Sequence, residues 1–199
     1  GVNIVERVRE LPAVLRKPGP GLVFAMLQKY RSPDEEKNDD EAVAPLAGEF
    51  ASATGLAGAS KHGLGHLTRV YGTRPIDVTE RAAWLWDQQR RLVRDTRLGI
   101  PAIVHEECLT GLAAWGAASF PTSLAWGATF DPELVGDMAA CMGRTMRELG
   151  VHQGMAPVLD VVRDPRWGRT EESIGEDPYL VGMIGTAYVR GLQSAGVLA

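Results

Sequence analysis

At 199 residues the chain is long enough to bury a core of its own. Its formal net charge of −4 excludes the basic footprint of a nucleic-acid binder and gives an anionic membrane nothing to attract. Two cysteines, with no Cys-x-x-Cys pair and no histidine at ligand spacing, exclude a disulfide framework and argue against a metal site. No apolar run approaches the roughly 18 residues that span a bilayer. The N-terminus carries no basic–apolar–small-residue export signal, so location stays open, with the cytoplasm as the default.

In chain order, residues 1–60 read as an irregular N-terminal segment. It holds a possible helix over 2–15, a Lys-Pro-Gly-Pro-Gly break at 17–21, and an acidic run at 34–41 that suits a solvated loop. Residues 63–70 suit a strand, weakened by glycines. Asp77 with Glu80 three residues on forms a capping box. Leu85, Trp86, Leu92 and Val93 recur at helical spacing after it, and Gly99 offers a left-handed stop. A short buried strand is expected over 100–104, with Pro101 at its start. Asp131-Pro132 opens the next helix. Its apolar stripe is Leu134, Val135, Met138, Cys141, Met142 and Leu149, and Gly150 ends it. Residues 151–160 form the next strand region, with an apolar run reaching Val162. A third helix runs from Asp177-Pro178 through Leu180, Val181, Ile184, Tyr188 and Leu192 to Gly196. Residues 197–199 then start another strand.

Helices alternating with short apolar strands indicate right-handed βαβ units and a parallel sheet. About four strands fit half of an eight-stranded barrel or a small doubly wound sheet. No strand is followed by the Gly-x-Gly-x-x-Gly turn of a dinucleotide fold. The expectation is therefore an α/β fold, with residues 61–199 forming about the first half of a TIM-type (β/α)8 barrel. Such a half would leave terminal strands unpaired and apolar faces uncovered, which favours aggregation or dimerisation.

The loops after the strands share a chemistry. One is His105-Glu106-Glu107-Cys108-Leu-Thr-Gly111 and the other Arg163-Asp164-Pro-Arg166-Trp167-Gly-Arg169. In a parallel barrel both lie at the C-terminal face, where active sites assemble from different strand ends. A glutamate facing an arginine there suits a polyhydroxylated ligand, and an aromatic face suits a sugar ring. The bland alternatives are a Glu107 that merely pairs with an arginine, and a surface ion-pair cluster of Arg163, Asp164 and Arg166. Cys108 fits a small buried residue better than a nucleophile.

Further motifs stand in order around these loops: Gly65-His-Leu-Thr68, Arg97-Leu-Gly-Ile-Pro101, Phe120-Pro-Thr-Ser-Leu124, Trp126-Gly-Ala-Thr-Phe-Asp131, Ala156-Pro-Val-Leu-Asp160 and Gly175-Glu176-Asp-Pro178. Together with the two loops they resemble the N-terminal barrel domain of glycoside hydrolase family 3 over about residues 63–199. The resemblance implies a retaining, exo-acting β-glycosidase that acts on terminal non-reducing sugars without a cofactor or metal. Its partner would be an oligosaccharide or glycoside. Residue by residue, Glu107 matches the family's acidic residue that binds hydroxyls of the terminal sugar, and Arg169 matches the arginine that does likewise. Arg163, Asp164 and Glu176 are expected to shape the loop.

The family's Lys-His pair, its nucleophilic aspartate and its acid/base are expected beyond Ala199, so no catalytic residue is assigned in this chain. The chain alone is expected to be inactive. Glu106 and Glu107 cannot fill the vacant roles, because neighbours on a strand face opposite sides. Glucosidases of the family commonly carry the shorter Asp at position 107, so Glu107 favours a β-xylosidase over a β-glucosidase. The hexosaminidase branch lacks the Arg-Asp-Pro-Arg-Trp-Gly-Arg loop. A non-catalytic carbohydrate-binding barrel is the alternative reading.

Overall fold

Three long helices begin where an aspartate side chain can take up the free amide protons of a first turn. The computed structural model describes residues 3–5, 23–25, 56–72 and 75–199. Two short strands, β1 (Asn3–Val5) and β2 (Val23–Ala25), pair in parallel. Helix α1 is Leu56–Ala59 and strand β3 is His66–Thr68. Helix α2 (Val78–Asp95) leads into β4 (Ile103–Glu106). A short helix α3 (Ser123–Gly127), helix α4 (Pro132–Glu148), strand β5 (Gln153–Gly154) and helix α5 (Pro178–Ser194) complete the order. None of the helices among the described residues is long and apolar enough to cross a membrane.

The capping residues act as their spacing suggests. Asp77 accepts from the Glu80 amide, Asp131 from the Glu133 and Leu134 amides, and Asp177 from the Leu180 amide. Proline follows the cap in α4 and α5, where its missing N–H costs nothing. Four of the five expected stripe positions of α5, Val181, Ile184, Tyr188 and Leu192, are in the core, and Leu180 is half-buried against it. In α2 only half of the expected stripe is buried. Leu85 and Leu92 are inside, whereas Trp86 and Val93, each one position on, are exposed. In α4 the buried face is Val135, Ala139, Met142 and Met146, so it is rotated from the expected one, and Leu134 and Cys141 are exposed. Small residues explain the rotation. A Cβ at Gly191 would lie 2.3 Å from the Gly136 carbonyl oxygen, and one at Gly143 would lie 2.9 Å from Ala195 Cβ. Helices α4 and α5 therefore approach through their glycines rather than their leucines.

The sheet grows in one direction. Strand β4 pairs in parallel with β3 on one side and β5 on the other. Leu198 adds a further parallel bridge to Gln153, with the Leu198 amide donating to the His152 carbonyl at 2.8 Å. Each new strand joins the free edge left by the previous one, without the reversal that defines a doubly wound sheet. This is the sequential order of a (β/α)8 barrel.

Four expectations are corrected. Residues 3–5 form a strand rather than part of a helix, in keeping with β-branched Ile4 and Val5. They and their partner residues 23–25 also show that the N-terminal segment is not wholly irregular. The remainder of the expected helix, the break at 17–21 and the acidic run lie outside the described residues. The strand expected over 100–104 begins at Ile103 and reaches Glu106. The strand region expected over 151–160, with its run to Val162, contracts to Gln153–Gly154. Pro157 has no amide to contribute to a ladder, and the chain leaves the sheet there. Val158 instead bridges to Ser173, and the Val162 amide donates to the Gly175 carbonyl at 3.0 Å.

Candidate active site at the carboxyl end of the sheet

Alternation along β4 decides which side chains reach the mouth. Val104 and Glu106 share one face and are fully buried; His105, also buried, alternates with them, and Glu107, directly after the strand, continues the alternation. The Glu107 side chain is half exposed, and its Oε1 lies 3.1 Å from Nη2 of Arg69, at the end of β3. Sequence reasoning passed over Arg69. Its one local signal is its place directly after a strand that is paired to β4.

Glu106 turns the other way. Its Oε1 accepts from the Tyr71 amide at 2.9 Å. Burial pushes its carboxyl up to about 8, against the smaller opposing pull of the Tyr71 and Val70 amides and the Arg69 charge. The folded state thus binds this proton more tightly than the unfolded chain, whose carboxyl titrates near 4.5. Its stabilising effect is complete below about 4.5 and is lost as pH rises towards about 8. Glu106→Gln should flatten that part of the stability profile. Urea midpoints at about pH 5 and about pH 8.5 should differ less in the variant than in the native chain; an unchanged difference contradicts the assignment.

His105 and His66 meet Nδ1 to Nδ1 at 3.2 Å, so one donates and the other accepts. Burial first, then the His66 charge, lowers the pKa of His105. Behind the sheet, the Tyr188 hydroxyl donates to the Cys108 carbonyl at 2.8 Å, and its ring stacks on Trp126 at 5.0 Å. Cys108 itself is fully buried, and burial pushes its thiol up to about 11, which suits a packing residue rather than a nucleophile.

The loop after β5 is closed at its base by the Val158–Ser173 and Val162–Gly175 contacts. Within it, Asp164 accepts from both the amide and the guanidinium of Arg166. That pairing holds the Asp164 carboxyl below its ordinary value. Arg163 and Glu176 are exposed. Arg169 makes a two-pronged pair with Glu172, Nε to Oε1 at 2.9 Å and Nη2 to Oε2 at 2.5 Å. This pair, and in smaller measure the charges of Glu107 and Asp160, raise the pKa of Arg169. Glu107 is therefore within electrostatic reach of Arg169, although each has a nearer partner. Trp167 offers part of its ring to solvent in the same loop. Among the described residues, no three His, Cys, Asp or Glu side chains cluster so as to hold a metal ion.

Residues 52–199 match the N-terminal domain of glycosyl hydrolase family 3. The chain belongs to that family. The family match starts inside the segment that sequence pattern left as irregular. A β-xylosidase from Formosa agariphila is 44% identical over 108 residues, covering 50% of this chain and 15% of that protein. A β-glucosidase from Rhizobium radiobacter is 34% identical over 110 residues, covering 52% of this chain and 13% of that protein. Among solved structures, a β-glucosidase from Erythrobacter marinus superposes with a TM-score of 0.63 at 37% identity, covering 70% of this chain and 18% of that one. The chain thus spans less than a fifth of each of these relatives.

Proposed function

We propose that this sequence forms the sugar-gripping part of a retaining, exo-acting β-glycosidase of xylosidase type, within a longer polypeptide. What supports the reading is that Glu107 directly follows β4, Arg169 stands in the loop after β5, and the Glu107 charge adds in small measure to raising the pKa of Arg169. A terminal sugar offers hydroxyls that both donate and accept. The Glu107 carboxylate would accept from some and the Arg169 guanidinium would donate to others. The Arg169–Glu172 pair is exposed, so it is weakly held, and ring hydroxyls can displace it. As the ring flattens towards an oxocarbenium-like state, hydrogen bonds to its hydroxyls strengthen and lower the barrier.

Hydrolysis with retention also needs two carboxyl groups about 5 Å apart, one attacking the anomeric carbon and one protonating the departing oxygen. Neither role is assigned to a residue of this chain, and the 199 residues alone are expected to leave glycosides intact. Xylose is favoured because Glu107 reaches one methylene further than aspartate, into space that the hydroxymethyl group of glucose would need. The 44% identity to a protein named β-xylosidase supports the same choice.

The test compares the full-length enzyme with the 199-residue chain on aryl β-xyloside and aryl β-glucoside. The full-length enzyme should favour the xyloside by about tenfold or more in kcat/KM, the range that one methylene in a pocket commands. The short chain should be silent on both. A glucoside preference overturns the substrate assignment, and turnover by the short chain overturns the division of labour.

A further inference from the structure

We propose that Arg69 and Glu106 are positioning residues of the sugar subsite: Arg69 sets the orientation of the Glu107 carboxylate, and Glu106 clamps the turn that carries Arg69. The inference rests on the reading of Glu107 as a sugar-binding group. A half-exposed glutamate has several torsions to lose before it can hold a hydroxyl in one geometry. Arg69 takes its Oε1 at 3.1 Å, and among the described residues no hydrogen bond reaches Oε2. One oxygen is thereby anchored while the other remains to accept from a ligand.

Arg69 holds this post at a cost. Its φ is 55°, in the left-handed region that a side chain with a Cβ disfavours. A glycine would sit there more easily, so the guanidinium is the reason to keep a side chain at that point. The turn is held from both sides. The Arg69 amide donates to the His105 carbonyl at 3.4 Å, and two residues on the Tyr71 amide donates to Glu106 Oε1 at 2.9 Å. Tyr71 is fully buried and its hydroxyl donates to the Leu149 carbonyl at 2.6 Å. The last glutamate of β4 and the one directly after it therefore do complementary work. Glu107 faces the mouth, and Glu106, on the opposite face, ties the end of β3 to β4.

The test uses the full-length enzyme with p-nitrophenyl β-xyloside and its monodeoxy analogues, and takes Glu107→Ala as the reference for which hydroxyl Glu107 reads. Arg69→Met should raise KM about tenfold and cut discrimination against that deoxy analogue by about tenfold, and Arg69→Lys should restore most of both. Glu106→Leu should behave like Arg69→Met. Glu106→Gln should stay near native, because its amide oxygen still accepts from Tyr71. A merely structural role would reduce the active fraction and leave KM and discrimination untouched. Native KM and discrimination in Arg69→Met, alongside collapsed discrimination in Glu107→Ala, overturn the inference. Intact discrimination in Glu107→Ala overturns the sugar-binding reading itself, and the inference with it.

Discussion

Replacing Glu107 by alanine in the full-length enzyme should lower kcat/KM on an aryl β-xyloside by about 10³-fold, some 4 kcal/mol of transition-state stabilisation. The size follows from what is lost together. The variant has no acceptor for the sugar hydroxyl, and it removes the ion pair that Glu107 makes with Arg69 at 3.1 Å in the native site. Glu107→Gln keeps the shape and one acceptor but removes the charge, so it should fall between the two. If the carboxylate grips the sugar mainly as the ring distorts, kcat falls with kcat/KM; if it grips substrate and transition state alike, the loss appears in KM. Near-native kcat/KM in Glu107→Ala would remove this residue from the site.

Replacing Gly127 by alanine should destabilise the chain by about 3 kcal/mol, at the upper end of what overpacking does. Gly127 closes α3, and a Cβ there would lie 2.0 Å from the Ile174 carbonyl oxygen and 3.2 Å from Ile174 Cγ2. The obstacle is backbone, so no change of rotamer relieves it. Ile174 lies between Ser173 and Gly175, the two residues that pin the base of the Arg169 loop. The same substitution should therefore loosen Arg169 as well as lower the melting temperature. Gly182→Ala is the control: a Cβ at that helical position in α5 meets nothing within 4 Å. Helix propensity alone should stabilise that variant by about 0.5–1 kcal/mol. Equal melting temperatures for the two variants would contradict the packing argument.

What the sequence made legible follows the range of the interactions involved. The stripe of α5 could be read because its cap, its proline and its five apolar positions all lie within one stretch of chain, and four of the five are fully buried. The strand order could be anticipated because short parallel strands joined by helices admit few connections. Strand β5 is shorter than its apolar run suggests because such a run looks the same whether it pairs in a sheet or closes a loop, and Pro157 is the local signal for its end. The contacts of the site are of another kind. Arg69 meets Glu107 across 38 positions and Tyr71 meets Glu106 across 35, so no local pattern encodes either. Glu107 and Arg169 came into view through ordered motifs shared with a family, not through spacing. The opposite facing of Glu106 and Glu107, by contrast, followed from the two-residue period of a strand alone.

The most direct measurement is a crystal structure of the full-length enzyme soaked with xylose. One pyranose is expected at the carboxyl end of the sheet, with the Glu107 carboxylate and the Arg169 guanidinium each about 3 Å from hydroxyls of that same ring. A ring bound without both of them, or Glu107 and Arg169 on separate ligands, would contradict it.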